Sequence, residues 1–391
     1  MNKFLNTFIL LISALLLGLL TGALSAGFLQ LIDLGQTFLW KNAWADFSLY
    51  PLLICTLGGL LVGLCQKYLG DHPKDLQQSM LEIKNNGRME YKFLPHGILA
   101  AAVSLIFGAS LGPEAAIMGL LGGLSTWASD MLAKVRSKLG LSNIPMVGSR
   151  IKFILHHWPT GLAIGLGIFS FGFGVKELYS GGFLKMSESF VWQDVIWSIP
   201  LGILGTLVGY LFTVLLKQSK RMLIPLKEKP IIKATLAGIF LGISASLFPM
   251  MLFSGQHEIQ NVYENAAQLG AVLLFTIALL RLVNIGLLLN SGWKGGQFLP
   301  LMFASTAIGL ACSVMVPGIS APTGILASMS GLLVMVLPTP WIVLAIMLMM
   351  FPLEYIGVMF TATLSAVLIR KGIENKQALA AKTNIRIVET E

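Results

Sequence analysis

Charge is scarce in this chain. Of its 391 residues only 12% are Asp, Glu, Lys or Arg, where a soluble domain carries about 25%. That shortage excludes an ordinary water-facing globule. Cysteine is scarcer still: Cys55, Cys65 and Cys312 stand apart in apolar surroundings, without metal-ligand spacing, and read as small core hydrophobes. Nothing in the sequence asks for a metal or another cofactor. The period-2 alternation that a membrane β-barrel needs is missing, so any membrane spans are helical. A pattern such as H-E-x-x-H, which an intramembrane zinc protease requires, is missing too. A serine protease would need G-x-S-x-G with a distant His, and the apolar spans are expected not to carry it.

What is abundant is apolar surface. The chain is 55% hydrophobic, with a mean hydropathy of +0.79. Apolar runs recur at 4–32, 49–69, 93–111, 114–133, 151–174, 196–216, 231–253, 268–290, 297–316, 322–337 and 340–369. Many are close to the ~20 residues that cross a hydrocarbon core. The expected class is an all-α integral membrane protein. Residues 1–370 read as one transmembrane transport domain, and 371–391 as a short basic cytoplasmic tail. The N-terminus carries Lys3, a long apolar run and "ALSA". It reads as the first membrane helix, because the run continues to about Ile32, beyond the 7–15 residues of a signal core; a cleaved signal is the other reading.

The net charge of +9 does not indicate nucleic acid. The basic residues gather between the apolar runs, at 67–92, 134–152, 217–233 and after Leu368, where cytoplasmic loops are expected. Segments 175–195 and 254–267 hold Glu177, Glu188, Asp194, Glu258 and Glu264 and are expected outside. Both termini then face the cytoplasm of a multi-pass protein in the cell membrane.

Two breaks stand out. Segments 93–111 and 114–133 meet at Gly112-Pro113, and 268–290 and 297–316 meet at "SGWKGGQFLP", residues 291–300. Gly- or Pro-broken helices at comparable places in two halves suggest an inverted-repeat transporter with its site near the midplane. Pro113 suits a first helical turn, so a helix should open at Glu114. Its N-terminus would present unpaired N–H groups and a positive dipole end, a ready anion site. Glu114 would be the resident anion there, and would have to leave or take a proton for another anion to pass. An ionisable group at membrane depth is a functional hypothesis by default. The plain alternative is a helix-end charge at the interface, worth about 0.3–1 kcal/mol. Gly295, Gly296, Phe298 and Pro300 would open a second helix. Two such helix starts would cradle an anion by backbone N–H groups, favouring weak binding and fast passage.

These residues resemble the CLC family of chloride channels and chloride/proton exchangers. "GASLGPEAA" is similar to its G-x-x-x-G-R-E-G-P signature and "GGQFLP" to its G-x-F-x-P signature. "KFLPHGILAAAVSLIFGASLGPE", "SGQHEI" and "APTGILASMSGLLVMVLPTPWIVL" resemble neighbouring family stretches, so the likeness runs over roughly 50–370. The resemblance implies an inverted repeat of tilted, partly spanning helices and a homodimer with one anion path per subunit. It implies a gating glutamate at Glu114. Gly112, Pro113, Ala115, Ala116, Gly296, Gln297 and Phe298 would line the anion path. The small anion implied is chloride, with fluoride among the alternatives, and protons are the implied second partner if the chain is an antiporter.

The departures matter. Pro113 replaces the signature arginine, and Ala115-Ala116 replace Gly-Pro. The stretch "GDHPKDLQQ", 70–78, lacks the serine of the family's first signature. "HHWPTGLAIGLGIFSFGFG", 156–174, lacks the inner acid of the exchangers, and no tyrosine follows Tyr355. Uncoupled anion conduction is therefore favoured over tight proton exchange. His156-His157 read as interface residues, with proton carriage the alternative, and His72 could line an inner vestibule. Arg281 sits mid-helix, where an unpaired Arg costs at least about 2.5–3.5 kcal/mol. It is expected to bond to backbone rather than face the path, with Asn284 and Asn290 as candidate neighbours. The rival class is a cation-coupled carrier of another substrate, which would use midplane acids. Glu114 qualifies, and Glu354 is a weaker candidate.

Overall fold

The computed structural model describes residues 2–41, 47–70, 72, 88–138, 184–186 and 188–388. The expected span at 151–174, with His156, His157 and the "HHWP" stretch, lies outside the described residues. So does most of 70–78. Among the described residues the fold is helical: α1 (Asn2–Trp40), α2 (Tyr50–Leu69), α3 (Leu94–Ile106), α4 (Glu114–Lys138), α5 (Gln193–Leu223), α6 (Pro230–Leu247), α7 (Glu258–Glu264), α8 (Ala266–Ser291), α9 (Phe298–Met315), α10 (Ala321–Val336), α11 (Pro340–Met350) and α12 (Ile356–Val388). Among the described residues seven helices are long and apolar enough to cross a membrane, and α3, α10 and α11 are apolar but shorter.

The chain divides into two compact units. One comprises Met1–Ser180, Glu228–Ser246 and Ser291–Gly296. The other comprises Gly181–Lys227, Leu247–Asn290 and Gln297–Glu391. In the first unit, α2 and α6 approach almost backbone to backbone. A Cβ on Gly59 would stand 2.6 Å from Ala234 O, and one on Gly242 2.6 Å from Leu52 Cα. Small residues permit this approach, which in lipid supplies packing energy that the hydrophobic effect does not. In the second unit, α9 is buried from Pro300 to Ala311, and α10 along nearly all its length. Helices apolar all round are core helices. α9 and α10 meet at Gly309 and Gly324, and α5 meets α10 where Gly205 faces Ser328.

α10 is well terminated. Ser320 Oγ accepts from Thr323 N at its start and donates to the buried Asp194 at 2.8 Å. Arg370 Nη1 reaches Val334 O and Leu337 O at its end, at 2.7 and 2.8 Å. These are the cap and counter-charge that a helix terminus needs. Side chains facing outward remain apolar, with Val272 82% and Trp341 74% exposed, as a lipid-facing surface requires.

Several boundaries differ from the hydropathy reading. α1 runs on to Trp40. The run 340–369 is two helices, because Pro352 cannot supply an N–H inside a helix. α7 stands where a loop was expected, and α8 is kinked at Gly270, φ +74. α12 continues through the basic tail to Val388.

Candidate functional site

α3 ends at Ile106, five residues before the expected limit of 111, and the early stop builds the site. Gly108 takes φ +89. Its N–H donates to Leu105 O at 3.4 Å, while Ala109 N–H donates to Ser104 O at 3.1 Å, the two bonds of a Schellman motif. α1 side chains reach the same helix end: Gln36 Nε2 to Leu105 O at 3.0 Å and Trp40 Nε1 to Ile106 O at 2.9 Å. The chain then passes through buried Ala109, Ser110 and Leu111 to Gly112 and Pro113, and α4 opens at Glu114.

The second break lies against the first. Gly112 and Gly296 form an antiparallel bridge: Gly112 N donates to Gly296 O at 2.8 Å and Gly296 N to Gly112 O at 2.5 Å. The 291–296 segment is fastened along its length. Trp293 Nε1 donates to Ala234 O at 3.0 Å, and Lys294 N donates to the buried Ser104 Oγ at 2.8 Å. The Gln66 amide packs on Gly292, which takes φ +97. Ser104 thus holds both breaks, one by its carbonyl and one by its hydroxyl.

The Glu114 carboxylate folds back onto this bridge. Its Oε2 occupies the space that a Cβ on either Gly112 or Gly296 would fill, and that oxygen is buried. Glycine is required at both positions for the carboxylate to rest there. Ala115 and Ala116 are buried in the first turn of α4. The first intrahelical partner there is Ile117 N–H to Pro113 O, at 3.1 Å, so Glu114, Ala115 and Ala116 have no i−4 carbonyl in their own helix. The structure therefore brings Gly112, Pro113, Glu114, Ala115, Ala116 and Gly296 together in one unit. Gln297 and Phe298, next in the chain, belong to the other unit, as N-cap and first residue of α9.

The glycine bridge was not foreseen, nor was the Gln66–Gly292 contact, since both join residues far apart in the chain. One expectation needs correction: Gly108-Ala109-Ser110-Leu111-Gly112 does spell G-x-S-x-G. Ser110 lies buried after a helix, not at the strand-to-helix elbow that exposes a nucleophile. Tyr355 donates its hydroxyl to Glu188 O at 2.6 Å. Arg281 bonds to backbone as expected, to Met251 O at 2.8 Å. Asn290 reaches Ser219 Oγ and Leu216 O on α5, at 2.8 and 3.0 Å. No group of three or more potential metal ligands occurs among the described residues.

Comparison with known proteins agrees with this architecture. The chain is 23% identical over 385 residues to YfeO of Salmonella paratyphi A, named as a candidate ion-transport protein, covering 85% of this chain and 87% of that protein. The YfeO of Salmonella newport is 22% identical over the same length. Among solved structures, a slow cyanobacterial Cl−/H+ antiporter superposes with a TM-score of 0.75 at 18% identity, over 96% of this chain and 97% of that one. A CLC-type fluoride/proton antiporter gives 0.69 at 17%, over 94% and 97%. The family described as voltage gated chloride channel matches residues 158–371, more than half of the chain and including Gly296–Pro300. With many apolar helices, two glycine-joined breaks and a matching fold, this multi-pass membrane protein belongs to the CLC family of ion transporters.

Proposed function

We propose that the chain moves a small inorganic anion, chloride in the first instance, across the membrane along a path gated by Glu114. The observation that carries this reading is the carboxylate lying on the Gly112–Gly296 bridge at the start of α4. A carboxylate there mimics the permeating anion, held by the helix dipole and first-turn N–H groups. Protonation weakens that hold and empties the place. The N–H of each of Gly112 and Gly296 donates to the other's carbonyl, so these residues frame the path. Pro113 has no N–H, and fixes the helix start. Ala115 and Ala116 on α4 are the proposed donors of the first unit, and Gln297 and Phe298 on α9 those of the second.

Transport is passive or proton-linked, and the missing acid in 156–174 favours the passive form. Fluoride is the alternative anion. The working assembly is a homodimer in the cell membrane with both termini cytoplasmic, 1–370 being the transport domain and 371–391 a basic tail. The test is flux from liposomes loaded with chloride and clamped with valinomycin, recording external chloride and pH together. Chloride efflux that depends on Glu114 supports the reading. Absence of both chloride and fluoride flux from folded protein contradicts it.

A further inference from the structure

Arg281 is fully buried in the apolar helix α8, and an Arg stays charged at any working pH. Its surroundings are built to hold it in one place. Nη1 donates to Met251 O at 2.8 Å and to Leu252 O at 3.4 Å. The guanidinium carbon stands 4.6 Å from the centroid of the Phe303 ring, a cation–π distance. Nη2 lies against the Cα of Gly255, where a Cβ would also meet the Phe303 ring at 2.9 Å. Gly255 takes φ +78, and Phe253 beside it takes φ +58, rare for a bulky residue. The turn at 253–255 therefore leaves room for the guanidinium at a cost in backbone strain.

Two carbonyls and a ring would be a sufficient tie for a structural side chain. The position of the ring adds something else. Phe303 lies five residues into α9 from Phe298, about 7.5 Å along the axis, and aromatic side chains on a helix lean back toward its N-terminus. The fixed charge thus lies on the order of 10 Å from the first-turn N–H groups of α9. Glu258, at the head of α7, acts on the guanidinium electrostatically. It is only half-buried, so solvent screens its charge more than that of the buried Arg.

We infer that Arg281 sets the anion affinity of the α9 start: it is a permanent cation whose field reaches the first turn of α9 without touching the anion. This rests on the proposed role of that first turn in the anion path. The field of one charge at such a distance, at the effective dielectric of about 20 that suits buried protein sites, is expected to change affinity by about tenfold.

The experiment is chloride flux from proteoliposomes as a function of chloride concentration, for the wild type, Arg281→Met and Arg281→Lys, with folding checked by gel filtration and circular dichroism. Arg281→Met is expected to raise the half-saturating chloride concentration about tenfold with maximal flux within about twofold, and Arg281→Lys to stay near the wild-type value. A purely structural tie predicts that Met and Lys behave alike, or that only maximal flux falls, and either result overturns the inference. If Arg281→Met does not fold, Gly255→Ala takes its place. It keeps the charge but displaces it from the ring, and an unchanged half-saturation in the folded variant overturns the inference equally. If the wild type moves neither chloride nor fluoride, it is the proposed function that fails.

Discussion

Glu114 and Arg281 are opposite solutions to placing a charge in an apolar fold. Glu114 lies at a chain break, resting on two glycines, with its helix dipole as partner. Arg281 lies inside a helix, bonded to two carbonyls and stacked on a ring. The first arrangement uses small residues to make a space that a carboxylate can fill or vacate. The second uses a strained turn to make a space that is always filled. In the proposed reading, the first charge changes state with each passage and the second stays constant while it does.

The comparison is broken most strongly at Glu114. Protonation removes the charge, so wild-type flux should rise as pH falls, by about tenfold for each ~1.4 kcal/mol by which the charged carboxylate blocks the path. Glu114→Gln fixes the neutral form, and its flux should stay high and flat across pH. Next is Gly296→Ala, whose Cβ would occupy the place of Glu114 Oε2. In folded protein it should flatten the pH dependence as Glu114→Gln does, measured in the same assay. The smaller effects sharpen the contrast by lying outside the path. Tyr355→Phe removes a hydrogen bond to Glu188 O and should cost about 1 kcal/mol, seen as a lowered Tm in detergent. Its half-saturating chloride concentration should not change. Ser320→Ala removes the α10 cap and should cost about 0.5–2 kcal/mol, again with flux parameters retained.

Much of this was legible in the sequence, for physical reasons. Hydropathy exposes a span because lipid demands an apolar side chain at nearly every position, so α2, α8 and α9 fall within two residues of the expected limits, whereas α6 stops six residues short of 253. Gly112-Pro113 and "GGQFLP" announced helix starts because proline and glycine have few other uses inside an apolar run. Hydropathy could not separate α11 from α12, since the Pro352 break interrupts the helix without interrupting the apolar run. Nor could it pair Gly112 with Gly296, or seat the Glu114 carboxylate on both, because Gly296 lies far from Gly112 and Glu114 in the chain. The buried tie of Arg281 was legible in kind, as a charge needing backbone partners, but not in its identity: Met251, Leu252 and Phe303 lie 20 to 30 residues away. The family match begins at residue 158, beyond Glu114, so the case for the gate rests on its own geometry.

The most direct measurement is chloride efflux from valinomycin-clamped proteoliposomes at neutral and acid pH, with proton movement recorded, for the wild type and Glu114→Gln side by side. A gate at Glu114 predicts wild-type efflux that rises on acidification and variant efflux that is already high and indifferent to pH. Equal pH dependence in the two proteins would contradict the gate.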